Sequence, residues 1–150
     1  MGKLFRKTII KTDMETCWDF FSSPDNLSKI TPPEMDFVIK KFDHKKMYEG
    51  QQIGYTVKPL IGIPVKWLTE IKSVTKNREF VDFQEKGPYK LWHHRHLFKE
   101  IPEGIEMTDI VHYKAPFGIL GKLMEKLFIQ KKVESIFNYR EKVIKDFFEN

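Results

Sequence analysis

The sequence is poor in cysteine, because Cys17 is the only one among its 150 residues. An intrachain disulfide therefore cannot form, which excludes the small folds that disulfides hold together. This composition fits a reducing compartment, so we expect a cytoplasmic protein. We interpret Cys17, which lies within a predicted helix, as a small packed residue and not as a nucleophile.

Long apolar runs and targeting signals are also absent from the sequence. No stretch approaches the roughly 18 consecutive apolar residues of a membrane-spanning helix. The opening residues, Met-Gly-Lys-Leu-Phe-Arg, lack the apolar core of a signal peptide, and Arg6 stands where a myristoylation signal has Ser or Thr. We therefore predict no membrane span and no N-terminal myristoylation.

The common catalytic and nucleotide-binding motifs are missing too. The sequence has no glycine-rich phosphate loop, no serine nucleophile elbow, no His-Glu-x-x-His zinc motif and no aromatic–basic RNA-binding signature. Its formal charge of +5 comes from Lys and Arg residues that are dispersed and mixed with Glu. This pattern favours a solvated basic surface over a nucleic-acid or anionic-membrane surface. We predict no cofactor and no nucleic-acid partner.

What is present suits a single domain that spans residues 1–150. A β-rich segment at 3–11 predicts a strand. Thr12-Asp-Met-Glu15 predicts a capping box at the start of a helix that ends near Phe21. Ser23-Pro24 predicts a second, short helix, with Ser as the cap and Pro at the first helical position.

From residue 34 the pattern is nearly all strand, with turns rich in Gly and Pro, such as Pro59–Pro64. We predict six further strands, at 35–42, 52–58 and 65–71 and three within 80–113. Consecutive strands with short connections predict an antiparallel meander.

After the Pro116–Gly121 break we predict a helix of about 28 residues that lies along the concave side of the sheet. The residues that repeat at near-helical spacing and should face the sheet are Leu120, Leu123, Met124, Leu127, Phe128, Ile136, Phe137, Val143, Ile144 and Phe147. The charged residues, Arg140 among them, should cover the rest of the helix.

One face of the three strands within 80–113 mixes large apolar groups with polar groups that are costly to bury. Pairing Glu100 with Ile105 across the last turn predicts that His96 lies opposite Asp109. Pairing Glu85 with Tyr89 predicts that Asp82 lies opposite Trp92. The other face of these strands is more charged, so we expect the mixed face to turn inward.

Three interpretations of this polar group remain open at the level of sequence. It forms a satisfied hydrogen-bond network that fixes strand register, or it presents polar atoms to a ligand in a mostly apolar cavity. The third interpretation is a metal site, since His94-x-His96 supplies two ligands on one face and Asp109 a third. No Cys or Glu accompanies them, and we predict no metal.

The order of elements and a local pattern resemble the START/Bet v 1-like (SRPBCC) superfamily, which includes polyketide cyclases and dehydrases. The likeness is greatest to small bacterial members and covers essentially the whole chain. It rests on Phe80-x-Asp82-x-Gln84, Gly87-Pro88, Trp92-x-His94-x-His96-x-Phe98, Met107-x-Asp109-x-Val111-x-Tyr113 and Pro116, together with Trp18, Pro32-Pro33, Gly54 and Trp67. The resemblance implies an α+β helix-grip fold, in which a seven-stranded curved antiparallel sheet wraps around a long C-terminal helix. It also implies a cavity between the two.

The leading hypothesis from these features is a carrier or sensor for a hydrophobic or amphipathic small molecule, such as a lipid, a quinone or a polyketide-like compound. The predicted ligand-binding residues are Trp67, Asp82, Gln84, Trp92, His94, His96, Phe98, Met107, Asp109, Tyr113, Phe117, Met124 and Phe128. One alternative is a cyclase, dehydrase or hydrolase that uses His96 and Asp109 as an acid–base pair. Another is a protein-interaction module, which a contiguous exposed apolar patch would favour.

Overall fold

The computed structural model describes residues 1–58 and 62–149, and its main element is one seven-stranded antiparallel sheet. The sheet order is β1-β7-β6-β5-β4-β3-β2. The strands are β1 (Gly2–Ile10), β2 (Val38–Lys41), β3 (Gln52–Val57), β4 (Val65–Thr75), β5 (Glu79–Lys86), β6 (Leu91–Ile101) and β7 (Gly104–Lys114). The α+β helix-grip prediction is confirmed.

Short helices follow β1 as predicted, but their starts differ in detail. Helix α1 (Met14–Phe21) is capped by Asp13, whose side chain accepts a 2.7 Å hydrogen bond from the Thr16 amide. The predicted cap at Thr12 is therefore wrong by one residue. The two turns that follow, Pro24–Ile30 and Pro33–Met35, are 3₁₀ helices.

Two strand boundaries differ from the sequence pattern. The predicted strand at 35–42 begins only at Val38, because Met35 ends a 3₁₀ turn and Asp36 has a left-handed backbone with φ of 46°. Strand β4 continues past Ile71 to Thr75. Part of the turn predicted at Pro59–Pro64, residues 59–61, lies outside the described residues.

The register of the sheet confirms one predicted hairpin and corrects the other. Between β6 and β7, His96 lies opposite Asp109 and Glu100 opposite Ile105, as predicted. Between β5 and β6, Asp82 lies opposite His94 and not opposite Trp92.

The error at the second hairpin is two residues, which leaves every side chain on its predicted face. Its cause is the Gln84 side chain, which bonds the backbone N–H and C=O of Tyr89 and so closes a longer turn than the sequence suggested. The mixed face accordingly points inward, with Phe80, His94 and Val111 all buried.

The C-terminal helix begins at Gly118 and contains one wide turn. Helix α2 (Gly118–Met124) passes through a π turn at Glu125–Ile129 into α3 (Gln130–Glu149). The buried positions repeat mostly every four residues, at Gly121, Glu125, Ile129, Val133, Phe137 and Ile144.

The predicted apolar stripe is therefore right for parts of α3 and wrong for α2 and the π turn. Leu120, Leu123 and Leu127, which were expected to face the sheet, are exposed. At Gly121 the α2 backbone packs closely against the connection that follows β7, where a Cβ would overlap the Pro116 carbonyl oxygen. Within residues 1–58 and 62–149, no helix combines the length and apolar character of a membrane span.

Two apolar clusters lie between the sheet and the helices. One gathers α1, Phe80, Phe98, Met107 and the end of α3 around Ile144. The other gathers Trp67, Tyr89, Val111 and Tyr113 against the middle of α3. The polar side chains of the mixed face lie between these clusters, and this position defines the candidate site.

The helix phase predicts that two substitutions which remove the same number of carbon atoms differ widely in their effect on the free energy of unfolding. Ile144→Ala should lower the free energy of unfolding by about 2–5 kcal/mol, because its side chain is 1% exposed and its loss leaves a cavity. Leu123→Ala should change it by no more than about 0.5 kcal/mol, because Leu123 is 53% exposed. Urea unfolding of both variants measures the difference, and similar losses would contradict this helix phase.

Candidate functional site

Four polar side chains from three adjacent strands meet on the inner face of the sheet. Strand β5 supplies Asp82, β6 supplies His94 and His96, and β7 supplies Asp109. They meet because Asp82 lies opposite His94 and His96 lies opposite Asp109 in the two ladders, and because alternate residues share a face. His94, His96 and Asp109 are buried and Asp82 is nearly so.

The hydrogen bonds in this group run diagonally between neighbouring strands. His96 donates through Nε2 to Asp82 Oδ2 at 2.5 Å, and His94 donates through Nε2 to Asp109 Oδ1 at 2.7 Å. The Nδ1 atoms face the opposite partners at 3.5 Å, His94 toward Asp82 and His96 toward Asp109. His96 and Asp109 are thus opposite each other in the β6–β7 ladder, as predicted, but they do not share the short hydrogen bond. His96 bonds Asp82 instead, and Asp109 accepts from His94.

Aromatic stacking holds the two imidazole rings in place. The His94 and His96 centroids are 3.6 Å apart with a tilt of 28°, and the Phe80 ring stacks on His96 at 4.0 Å. Phe137 from α3 meets His94 edge to face. The rings are therefore fixed by packing as well as by hydrogen bonds, so the polar atoms have defined positions.

The electrostatics of the group favour two ionised carboxylates and a neutral His96. Burial raises the pKa of Asp82, but interactions with His94 and His96 outweigh it and hold the pKa below its usual value. For Asp109, burial likewise raises the pKa, and the hydrogen bond from His94 reverses the shift. Burial, aided by His94, lowers the pKa of His96 to about 4, despite its bond to Asp82.

Arg140 on α3 completes the group, although the sequence analysis placed it on the outer surface of the helix. Its guanidinium carbon lies 4.9 Å from the Phe137 ring centroid, and its Nε is buried. Burial lowers the pKa of Arg140, while Asp109 and Asp82 raise it. A sequence signal did exist, because Arg140 follows Phe137 by three residues and precedes Ile144 by four.

A cavity of about 110 Å³ adjoins this group on the side of β3, β4 and α3. Its wall combines apolar and aromatic side chains with a polar end at Asp82, His94, His96 and Arg140. The remaining lining residues are Leu27, Thr31, Met35, Phe37, Met47, Ile53, Tyr55, Val57, Trp67, Thr69, Ile71, Phe80, Tyr89, Trp92, Ile136 and Phe137.

A second cavity of about 20 Å³ lies behind the group, next to α1 and the Pro24–Ile30 turn. This volume holds about one water molecule. Phe80, His96 and Arg140 border both cavities, whereas Asp109 borders only the smaller one.

The structure brings some of the predicted site residues to the larger cavity and not others. Trp67, Asp82, Trp92, His94 and His96 line it. Met107 and Asp109 line the smaller cavity, and Gln84, Phe98 and Tyr113 are buried but line neither.

Phe117, Met124 and Phe128 do not reach either cavity, because they are exposed on the C-terminal helix. The helical wall is formed instead by Ile136, Phe137 and Arg140. The expectation that α2 and the π turn cover the cavity is therefore corrected.

Two donor groups at the larger cavity have no hydrogen-bond partner within the described part of the chain. They are Nε1 of Trp67 and Nε of Arg140, and both atoms are buried. The Arg140 guanidinium also has no carboxylate within 4.0 Å among the described residues. An unpaired buried donor is costly, so both positions favour a hydrogen-bond acceptor in the cavity.

The metal interpretation fits this geometry poorly. Asp82, His94 and His96 do offer ligand atoms within 4.8 Å of one another. However, a histidine binds a metal in the plane of its ring, and two rings stacked 3.6 Å apart with a 28° tilt have planes that meet well beyond either ring.

Comparisons with known proteins reveal likeness in structure but not in sequence. No protein-family model and no curated protein matches the sequence. A START superfamily protein from Mycobacterium smegmatis superposes with a TM-score of 0.73 at 12% identity, covering 98% of this chain and 97% of that one. The major latex-like protein 151 of Panax ginseng gives 0.70 at 16% identity, with the same coverage of both chains. A Chromobacterium violaceum protein gives 0.73 at 12% identity over 99% of this chain and 97% of its own.

The depressed pKa of His96 predicts acid-sensitive stability. An unfolded histidine takes up a proton near pH 6.5, whereas the folded His96 does so only near pH 4, so the unfolded state binds more protons as pH falls between these values. The free energy of unfolding should therefore drop by roughly 3 kcal/mol from about pH 7 to about pH 4 through this residue alone. Lowered Asp82 and Asp109 pKa values extend the loss to lower pH.

Denaturant unfolding of the wild type and of His96→Gln across this pH range measures the effect. Glutamine keeps a donor for Asp82 but does not titrate, so its slope with pH should be smaller. His93→Gln, on the outer face of β6, is the matched control and should keep the wild-type slope. Equal slopes for His96→Gln and the wild type would contradict the assignment.

Proposed function

We propose that this chain, which has the helix-grip fold of the START/Bet v 1-like (SRPBCC) proteins, is a binding protein for a small molecule with an apolar body and an oxygen acceptor at one end. The observation that carries the proposal is that Nε1 of Trp67 and Nε of Arg140, at a cavity with mostly apolar walls, have no hydrogen-bond partner among residues 1–58 and 62–149. A carbonyl or carboxylate oxygen would satisfy them. In this proposal the polar end of the ligand meets Trp67 and Arg140, whereas the sequence analysis expected His94, His96 and Asp109 to contact it.

The apolar part of the ligand gains free energy through burial, at about 25 cal/mol per Å² before the costs of binding. The aromatic wall of Tyr55, Trp67, Tyr89 and Trp92 supplies this surface. A cavity of about 150 Å³ is known to hold benzene. The 110 Å³ present here is smaller, so a single ring or a short chain requires the walls to move apart slightly, and a longer lipid requires a larger movement.

The polar end of the cavity favours an acceptor over a donor. Arg140 offers several N–H groups in a planar fork that matches a carboxylate or a carbonyl. The histidine Nε2 atoms are already committed to Asp109 and Asp82, so they orient the end wall and do not compete for the ligand. A cationic head would meet the Arg140 guanidinium, and the Asp82 carboxylate on the same wall already accepts a hydrogen bond from His96.

The acid–base enzyme hypothesis receives less support from this site. A general base works best when its pKa lies near the operating pH, and the pKa of His96 is about 4. Its Nε2 also bonds Asp82 rather than an open position. Small-molecule binding therefore stays the primary proposal. We further propose that the chain forms a single domain in the cytoplasm, where a free and buried cysteine such as Cys17 is expected.

A matched series of six-carbon ligands tests the proposal. Hexanoate and 2-hexanone should bind, whereas hexylamine, which has no acceptor, should bind at least about tenfold more weakly. Trp67 and Trp92 line the cavity, so quenching of tryptophan fluorescence reports occupancy, and amide shifts in a ¹⁵N spectrum locate it.

The variant Arg140→Met should weaken hexanoate by about tenfold or more, because a hydrogen bond to a charged group is lost. Lys142→Met removes the same charge from an exposed position two residues along α3 and should bind like the wild type. Equal affinity for hexylamine would contradict the acceptor requirement while leaving the binding role intact. Failure of all three ligands to bind at the cavity would contradict the binding role itself.

A further inference from the structure

A ridge of large apolar side chains stands exposed at the start of the C-terminal helix. Phe117 is 81% exposed, Ile119 91% and Leu120 64%, and further along the segment Leu123, Leu127 and Phe128 are also exposed. We call these six residues the apolar ridge. Contiguous apolar surface of this kind marks a site of interaction with a protein or a membrane.

The backbone directs the ridge outward in two ways. Only Gly121, Glu125 and Ile129 of this segment are buried, and they lie on the side that faces the rest of the protein. Phe117, immediately before α2, adopts a left-handed backbone with φ of 73°, an unfavourable conformation for a bulky residue, and its side chain is exposed. The exposed side chains of the ridge therefore gain little stabilisation from packing within the described part of the chain.

The charges around the ridge are of one sign. The segment 117–132 contains four lysines, Lys122, Lys126, Lys131 and Lys132, and one acid, Glu125. Glu125 is buried and lies 3.9 Å from the N-terminal amine, so it does not offset the lysines at the surface. Lys122, Lys126 and Lys131 are exposed beside the apolar residues.

We propose that the apolar ridge and its flanking lysines form a docking surface for an anionic lipid bilayer. The apolar side chains insert at the boundary between headgroups and acyl chains, and the lysines attract the phosphate-rich surface. A second copy of this chain fits less well, because it would bring the same lysines against one another. The proposal concerns a different face from the ligand cavity and does not depend on it.

The experiment measures co-sedimentation of the full chain with vesicles. Wild-type protein should bind vesicles that contain about 25% phosphatidylglycerol in phosphatidylcholine, and should bind pure phosphatidylcholine at least about tenfold more weakly. Ile119→Ser/Leu123→Ser should lower binding about tenfold or more, since both side chains are exposed and contribute only through lipid. Lys122→Glu/Lys126→Glu should have a similar effect.

The matched control is Lys76→Glu/Lys99→Glu, which changes the net charge by the same amount. Both lysines are exposed at the end of the sheet where Ile101 pairs with Gly104, opposite the end where Leu91 pairs with Lys114 and the ridge begins. This control should keep most of the vesicle binding. Thermal melting by circular dichroism confirms that each variant is folded.

Three results would overturn the proposal. The first is no binding of the wild type to phosphatidylglycerol vesicles. The second is an equal loss in the Lys76/Lys99 control, which would show general attraction of a basic protein. The third is a wild-type dimer in light scattering that Ile119→Ser/Leu123→Ser converts to a monomer without changing vesicle binding, which would make the ridge a protein interface.

Discussion

The pairing of two buried carboxylates is the constraint on which the rest of this structure depends. Asp82 and Asp109 each lie within the protein and each accept a hydrogen bond from a histidine of β6. A buried carboxylate without such a partner is strongly destabilising, so the three strands must keep the register that forms these bonds. A slip of one residue would turn a whole set of side chains to the other face.

The same group forms one end of the cavity, so two interpretations that the sequence left separate are compatible. His94 and His96 satisfy the carboxylates and also line the cavity, while Asp109 lies behind them. The structural network therefore forms a rigid wall of the cavity. Arg140 adds donors that the network does not use, and this surplus distinguishes the site from a closed polar core.

The phase of the C-terminal helix explains both the position of Arg140 and the exposure of the apolar ridge. The π turn at Glu125–Ile129 has more residues per turn than an α-helix and so changes which residues face the sheet. Gly121 permits a close approach to Pro116 that any larger residue would prevent. The α3 part of the helix thus places the Arg140 guanidinium at the cavity. Phe117, α2 and the π turn carry seven exposed apolar residues, which are the ridge and Met124.

The sequence by itself determined the fold class, the inner face of the sheet and the β6–β7 register, because side chains alternate along strands and a short turn fixes the pairing beside it. It also grouped Trp67, Asp82, Trp92, His94 and His96, which line the same cavity. Only the tertiary structure decided the β5–β6 register, because it depends on Gln84 closing a longer turn. It alone decided the place of Arg140, because the spacing from Phe137 and Ile144 puts this residue on their face, but a charged residue at a core position becomes evident only when its neighbours are assembled.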